Sequence, residues 1–289
     1  MTPFKNNVFN QLVFLPVYLI GLLPYSISSA IIGQMLYFVS YRIFKYRYSV
    51  VLQNLSRSLP SKSYAEIQQI ATAFYRNFSC MMIETLQLFS MSSYTLNKKV
   101  HLLNPELLLS YHKQNRSIIA VLGHYGNWEY LNILPELLPF KVNAIYKPLS
   151  NSMMNTLIKQ LRSRFGMRLI PANQALRYLL KQQHEPQLSI FIADQFPGFS
   201  TYEQFNFLHQ PTQMFNGAEK LAKTVNAVVI YLEMKRSSNN CWEIGFSLIT
   251  ERPRETAKQE ITQCFAAKLE QTIQTDPGYW LWSHRRWKH

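Results

Sequence analysis

Ser117-Ile-Ile-Ala-Val-Leu-Gly-His-Tyr-Gly-Asn-Trp-Glu129 is the most informative segment of this chain for its fold class. The apolar run that ends at Leu122 is typical of a strand buried on both faces of a parallel sheet. Gly123 and Gly126 then allow a tight turn, and Asn127 is a good helix N-cap. The pattern therefore predicts a strand, a turn and a helix, which is the repeating unit of an α/β layer.

The same alternation continues along the chain. Ser63-Tyr-Ala-Glu66 has the form of a capping box and predicts a long helix that runs to about Phe89. Four further apolar runs predict strands, at Val142–Tyr146, Leu188–Ala193, Val225–Met234 and Trp242–Ile249. Helical patterns follow or separate them, at Asn127–Glu136, Ser152–Phe165, Gln174–Gln183, Asn216–Thr224 and Thr256–Thr275. We therefore expect an α/β body with a mixed, largely parallel sheet flanked by helices.

The N-terminus has the composition of a membrane-associated segment. Val8–Ile32 carries no charge, and the basic residues Arg42, Lys45 and Arg47 follow it. By the positive-inside rule this basic flank stays on the cytoplasmic side, or it binds the cytoplasmic leaflet if the segment lies in the interface. Pro24 argues against one straight spanning helix, and a buried helical hairpin is the alternative. The sequence predicts an anchor segment at 1–50 and a catalytic domain at 51–289.

The charge balance indicates an anionic partner. Lys and Arg total 30 against 16 for Asp and Glu, a net charge of +14, which suits phospholipid headgroups, nucleic acid or an acidic protein. The membrane is favoured over nucleic acid because much of the excess lies beside the apolar N-terminus and no nucleic-acid-binding signature accompanies it. The aromatic and basic tail, residues 280–289, fits a membrane interface. No cysteine or histidine spacing predicts a metal site, and no motif predicts a cofactor.

His124 and Glu129 are the candidate catalytic pair. His124 follows a strand at the sheet edge where ligands of α/β folds usually bind, and Glu129 rises from the first turn of the next helix. A carboxylate bonded to one imidazole nitrogen fixes the tautomer, so that the other nitrogen can take a proton from a hydroxyl. The loop after Ala193 begins with Asp194 and Gln195, and the same rule places it near this edge.

The motif around His124 resembles the active-site motif of the lipid A biosynthesis acyltransferase family, the lauroyl and myristoyl transferases. Other segments match that family in order along nearly the whole chain: Asn54-Leu55 with Pro60, Tyr146-Lys147-Pro148, Arg164-Phe165-Gly166, Asp194-Gln195, Gly217-Ala218 with Leu221-Ala222, and Trp282 with His284-Arg285-Arg286-Trp287-Lys288. Lys147 stands where the family more often has arginine, and Phe205–Leu208 keeps only part of its Phe-Phe-Gly.

The resemblance implies a glycerolipid-acyltransferase-like core at the cytoplasmic face of the bacterial inner membrane. It implies an acyl-carrier protein thioester as donor and the hydroxyl of an anionic lipid A precursor as acceptor. It gives His124 and Glu129 the catalytic roles, and it makes the helix start at Asn127, with Lys147, Arg164 and Asp194, candidates for substrate binding. A lysophospholipid or amino-acid lipid acceptor, a thioesterase, and a membrane-bound protein without catalysis are the alternatives.

Overall fold

A seven-stranded sheet forms the centre of the chain. The structure is a computed structural model that describes residues 15, 18–197, 204–237 and 239–287. The sheet strands are β1 Val100–Leu102, β2 Ile118–Leu122, β3 Lys141–Tyr146, β4 Arg168–Pro171, β5 Gln187–Ile192, β8 Val228–Arg236 and β9 Trp242–Thr250. Their order is β1-β9-β8-β2-β5-β3-β4. All neighbours are parallel except β8 and β9, which pair antiparallel. A separate hairpin joins β6 Phe205–Phe207 to β7 Gln210–Thr212.

Helices cover both faces of this sheet. The α-helices of the body are α2 Tyr48–Ser58, α3 Tyr64–Gln87, α4 Ser93–Asn97, α5 Glu106–Lys113, α6 Leu134–Leu137, α7 Ser152–Ser163, α8 Ala175–Lys181, α9 Gly217–Val225 and α10 Glu260–Thr275. Short 3₁₀ helices span Trp128–Ile133, Ala172–Gln174, Pro253–Glu255 and Pro277–Tyr279. Alternate residues of β2 enter two different cores, Ile119 with Phe74 and Phe265 on one face and Ala120 with Leu108 and Tyr130 on the other. All five β2 residues are buried, as expected for a central strand of a layered α/β fold.

The predicted α/β class and its largely parallel sheet are confirmed. Each of the five predicted strands and the capping box of α3 is present, with ends shifted by a few residues at most. The helix expected at Asn127–Glu136 is instead a 3₁₀ helix followed by the single turn of α6. Pro135 stands at the start of that turn, where its missing N–H is tolerated, whereas further inside a helix it would remove a hydrogen bond.

The N-terminal helix carries an apolar stripe that faces away from the body. This helix, α1, spans Tyr25–Ile43 and includes two π-helical stretches. Along one side, Ile27, Ile31, Met35 and Phe38 are between 46% and 65% exposed. On the other side, the Gln87 amide of α3 donates to Ser28 Oγ at 3.0 Å and to the Leu23 carbonyl at 2.9 Å. α1 is therefore held to the body while its stripe stays uncovered.

Within the described ranges, no single helix is long and apolar enough to cross a membrane. α1 and α2 together have sufficient length and apolar content, but they meet at an angle of 85°. In the uncharged stretch Val8–Ile32, residues 8–14, 16 and 17 lie outside the described residues. The boundary near residue 50 stays a prediction.

Two tryptophans and one arginine of the tail are buried in the body, so the predicted place of these side chains at a membrane interface is wrong. Trp280, Trp282 and Arg286 are 3%, 0% and 1% exposed. The Asn54 side chain donates to the carbonyls of Trp282 and His284 at 2.8 and 2.9 Å. The Asn54 side chain of α2 thus satisfies two buried or half-buried carbonyls of the tail, which holds the tail against α2.

Candidate active site

The loops after β2 and β5 meet at one edge of the sheet. These two strands are parallel neighbours with Leu122 opposite Ile192, and the Ala193 N–H donates to the Leu122 carbonyl at 3.0 Å. The carboxyl ends of adjacent parallel strands lie side by side, which brings His124 and Asp194 together although 70 residues separate them.

The imidazole of His124 is bonded to the carboxylate of Asp194. Its Nδ1 lies 2.6 Å from Asp194 Oδ1, and the His124 backbone N–H donates to Oδ2 at 2.8 Å. The Trp280 indole N–H donates to the same Oδ2 at 2.8 Å. Burial alone would raise the pKa of Asp194, but the imidazole and these hydrogen bonds outweigh burial and lower the pKa to about 2. An ionised Asp194 accepts the Nδ1 proton, so Nε2 of the neutral imidazole is the free base.

Glu129 is not the partner of His124, and this part of the sequence prediction is wrong. Its carboxylate accepts three hydrogen bonds from Arg162, from Nε to Oε2 at 2.9 Å and to Oε1 at 3.2 Å, and from Nη2 to Oε1 at 2.5 Å. The Trp128 indole N–H also donates to Oε1 at 3.0 Å. Burial would lower the pKa of Arg162, but attraction to Glu129 outweighs it and raises that pKa. Glu129 therefore joins α7 to the 3₁₀ helix through a bidentate ion pair.

A glycine and the C-terminal segment shape the active-site loop, residues 123–127. Gly126 adopts φ +65°, and a Cβ there would lie 2.5 Å from the Trp242 ring. Its N–H donates to the Tyr279 carbonyl at 3.1 Å, and the Leu281 N–H donates to the His124 carbonyl at 3.0 Å. The loop is thus paired like a short strand with residues 279–281, which also deliver Trp280 to Asp194.

Asn127 connects the loop to a second, buried ion pair. Its Oδ1 accepts the Glu129 N–H at 3.2 Å, and its Nδ2 donates to Glu84 Oε2 at 3.0 Å. Glu84 also binds Arg236 at 2.6 Å and is 2% exposed. The predicted N-cap is confirmed, and the Asn127 side chain acts within the protein framework.

Lys147 and Arg164 lie in different surroundings from the dyad. Lys147 is exposed after β3, and a role in substrate binding stays a prediction. Arg164 donates from Nη1 to the Leu88 carbonyl and from Nη2 to the Met91 carbonyl at 3.2 Å. Those bonds satisfy the carbonyls beyond the end of α3, which is a structural role, and substrate binding by Arg164 stays a prediction.

A cavity of about 130 Å³ lies next to Trp128. Its wall is close to half polar: Tyr25, Phe74, Phe78, Met81, Trp128 and Leu281 are among its apolar and aromatic residues, and Asn77, Glu84, Arg236 and Asn240 are among its polar residues. The Trp128 ring stands edge-on to His124 with centroids 4.9 Å apart. This single tryptophan therefore contacts both His124 and the cavity.

Two residues of the site escaped the sequence analysis. In the sequence, Arg162 is one of several cations near the end of a predicted helix. The only hint of an ion pair was the carboxylate of Glu129, which lies in the turn after Asn127. Trp280 gave no signal, because its contact with Asp194 spans 86 residues. Among the described residues, no three His, Cys, Asp or Glu side chains come together as metal ligands.

An imidazole held by a buried carboxylate can take a proton from a hydroxyl or water molecule. A family model described as bacterial lipid A biosynthesis acyltransferase matches residues 7–289. No curated protein matches the chain at a significant level. Since the family model covers nearly the whole sequence, the chain belongs to the bacterial lipid A biosynthesis acyltransferase family and is an acyltransferase.

Proposed function

We propose that this acyltransferase moves a fatty acyl group from an acyl-carrier protein thioester to a hydroxyl of a lipid A precursor, with His124 as general base and Asp194 as its partner. The observation that carries the proposal is the 2.6 Å contact between His124 Nδ1 and Asp194 Oδ1, with His124 packed against Trp128, which lines the cavity. The side chain of His124 is 17% exposed and that of Asp194 is 3% exposed. The base can therefore meet a substrate while its partner is shielded from water.

In this mechanism His124 Nε2 takes the proton of the acceptor hydroxyl as the hydroxyl oxygen attacks the thioester carbonyl carbon. The new C–O bond gives a tetrahedral oxyanion. When the oxyanion collapses, the C–S bond breaks and the leaving thiolate receives the proton from the imidazolium. Asp194 stays ionised throughout and stabilises the imidazolium, as carboxylates do in related dyads.

The cavity is the proposed place for the donor acyl chain. Phe74 and Phe78 of α3 and Tyr25 of α1 provide apolar surface along it. Burying such surface stabilises a bound chain by about 0.8 kcal/mol for each methylene removed from water. The thioester carbonyl then lies near Trp128 and His124.

The membrane surface is the proposed place of reaction, on the cytoplasmic face of the inner membrane. Supporting observations are the exposed apolar stripe of α1 and the basic residues Arg42 and Lys45 that follow it. Apolar insertion combined with attraction to anionic headgroups is how interfacial helices bind. Because Tyr25 of α1 also lines the cavity, a lipid substrate could pass from the bilayer to the dyad along one helix.

Mass spectrometry of reaction products tests the proposal. The purified full chain is incubated with mixed acyl-carrier protein thioesters and a lipid A precursor that has free 3-hydroxyacyl chains. We expect a product heavier by one acyl group, and His124→Ala should reduce its rate of formation by about 100-fold or more, because removing a general base costs about 10²–10⁴.

His184→Ala is the matched control, since His184 is exposed and remote from the cavity, and it should retain full activity. Release of free fatty acid without acylated lipid would indicate a thioesterase. Acylation of a lysophospholipid in preference to the lipid A precursor would show that the proposed acceptor is wrong. Activity of His124→Ala within threefold of the parent would rule out the mechanism.

A further inference from the structure

A side-chain amide lies against the catalytic nitrogen of His124. Gln195 Nε2 is 3.3 Å from His124 Nε2, and no role has been given to it so far. Because Nδ1 gives its proton to the ionised Asp194, Nε2 is an acceptor, and the amide must present its NH₂ group to it. This contact fixes the orientation of the Gln195 amide, with an N–H donor at the position where the acceptor hydroxyl has to dock.

The backbone holds Gln195 on both sides. Asp194, which precedes it, is fixed by His124 and Trp280. Phe196, which follows it, donates its N–H to His284 Nε2 at 3.5 Å. Burial lowers the pKa of His284 to about 4, so this imidazole is neutral near pH 7 and can accept that bond. The backbone that carries the amide is therefore positioned before substrate arrives, and such preorganisation favours electrostatic stabilisation of a transition state.

Several other hydrogen-bond donors around the dyad are already engaged. Arg162 is bound to Glu129, and Arg164 is bound to two backbone carbonyls. At the helix start, the Glu129 N–H is bonded to Asn127 Oδ1. The Gln195 amide differs from these groups, because an incoming hydroxyl that bonds to His124 Nε2 displaces it and frees its N–H.

The freed N–H then lies next to the reacting carbon. The oxyanion and the attacking oxygen are bound to the same carbon, so a donor that touches the base nitrogen is within reach of the oxyanion as well. Building on the acyl transfer proposed above, we propose that the Gln195 carboxamide is a catalytic residue that donates a hydrogen bond to the oxyanion formed from the thioester carbonyl. Gln195 itself neither gains nor loses a proton in the reaction.

Two substitutions of Gln195 test this role. Gln195→Ala removes the donor, and Gln195→Glu keeps the shape but places a carboxylate beside the oxyanion. We expect kcat to fall about 100-fold in the first variant and at least as much in the second, because loss of one such donor costs about 10²–10³ in kcat. KM for both substrates should stay within threefold. Gln183→Ala, at an exposed glutamine beyond α8, is the matched control and should match the parent.

A comparison of two reactions separates this role from a simpler one. Transfer to the lipid hydroxyl and slow hydrolysis of the lauroyl acyl-carrier protein thioester by water pass through the same kind of oxyanion. An oxyanion donor therefore slows both reactions by the same factor in Gln195→Ala. If transfer falls while hydrolysis stays within threefold, Gln195 only places the acceptor and the proposal is overturned.

Proton NMR gives a further check, on the low-field resonance of the Nδ1–H that is bonded to Asp194. We expect it unchanged in Gln195→Ala, whereas its loss would mean that Gln195 holds the imidazole and would overturn the proposal. A kcat of Gln195→Ala within threefold of the parent would also overturn the proposal.

The unsubstituted chain tests the underlying function separately. If it transfers no acyl group, the proposed acyl transfer itself is wrong. If the parent is active and Gln195→Ala is equally active, only the role of Gln195 is overturned.

Discussion

Asp194 determines which nitrogen of His124 carries the proton. Its two carboxylate oxygens accept from the imidazole, the His124 N–H and the Trp280 indole, so they cannot rotate to a different pairing. In Asp194→Asn, the amide NH₂ would donate to Nδ1 and leave the proton on Nε2, where it blocks the base. We therefore expect kcat to fall about 100-fold or more, as with loss of the base itself, in the product assay described above.

Asp194→Asn keeps the size of the side chain, so circular dichroism and the thermal midpoint serve to exclude unfolding as the cause. Glu129→Gln is the informative comparison, because the sequence predicted Glu129 as the partner of His124 and the structure pairs His124 with Asp194. If Glu129→Gln lost more activity than Asp194→Asn, the assignment of the partner would be reversed.

The sequence predicted His124 at the edge of the sheet but assigned it the wrong hydrogen-bond partner, for a geometric reason. Glu129 is five positions from His124, but its carboxylate is bonded to Trp128 and Arg162 instead. Asp194 was predicted as a substrate-binding candidate near the same edge and not as the partner of His124, since sequence alone does not tell that β5 is the neighbour of β2. Proximity along the chain was therefore a poor guide to proximity at the sheet edge.

At the scale of elements, the ion pair between Glu129 and Arg162 joins α7 to the 3₁₀ helix. The side chain of Glu129 is 8% exposed and that of Arg162 is 23% exposed. In Arg162→Met the carboxylate is left buried without its cation, and we expect the free energy of unfolding to fall by about 3–5 kcal/mol. Chemical denaturation measures this change.

The double variant Glu129→Gln/Arg162→Met should lose less than the sum of the two single variants, because no unpaired charge remains. Lys141→Met is the surface control. It breaks the exposed Lys141–Glu185 pair, which should cost less than about 1 kcal/mol. Strict additivity of the two single changes would contradict direct coupling between Glu129 and Arg162.

The active-site loop depends on a glycine conformation that an alanine cannot share without strain. Gly126 has φ +65°, and an added Cβ would lie 2.5 Å from the Trp242 ring. We expect Gly126→Ala to lower the free energy of unfolding by about 1–3 kcal/mol, the usual cost of overpacking, and to lower kcat because the loop carries His124.

Gly245→Ala is the matched change in β9, where the nearest atom to an added Cβ is 3.7 Å away, and it should be tolerated. The sequence correctly indicated a turn at this loop from its two glycines. It could not reveal that residues 279–281 pair with the loop, because that contact joins segments more than 150 residues apart.

At the scale of the whole molecule, the parallel sheet gathers the dyad at one edge, and α1 connects the neighbouring cavity to an uncovered apolar stripe. The fold class followed from the sequence because buried strands and amphipathic helices have different apolar periods. The place of the tail did not follow from the sequence, since tryptophan and arginine suit both a membrane interface and a packed core. Its burial leaves α1 and the basic residues after it as the candidate membrane-binding surface.

Vesicle binding tests this surface. Ile31→Glu/Phe38→Glu puts two charges into the stripe at side chains that are 65% and 56% exposed, so the fold should be unaffected. Each large apolar side chain contributes about 1.5–3 kcal/mol when it is buried, and 1.4 kcal/mol is a factor of ten. We expect binding to vesicles containing phosphatidylglycerol to weaken at least tenfold, as measured by sedimentation.

Leu176→Glu/Leu180→Glu is the matched control, because these leucines lie four positions apart on α8 and are 44% and 40% exposed. It should bind vesicles like the parent. Raising the salt concentration should weaken the binding of the parent as well, because salt screens attraction between the basic residues and anionic headgroups. An equal loss in both double variants, or none in the α1 variant, would show that α1 is not the surface that meets the bilayer.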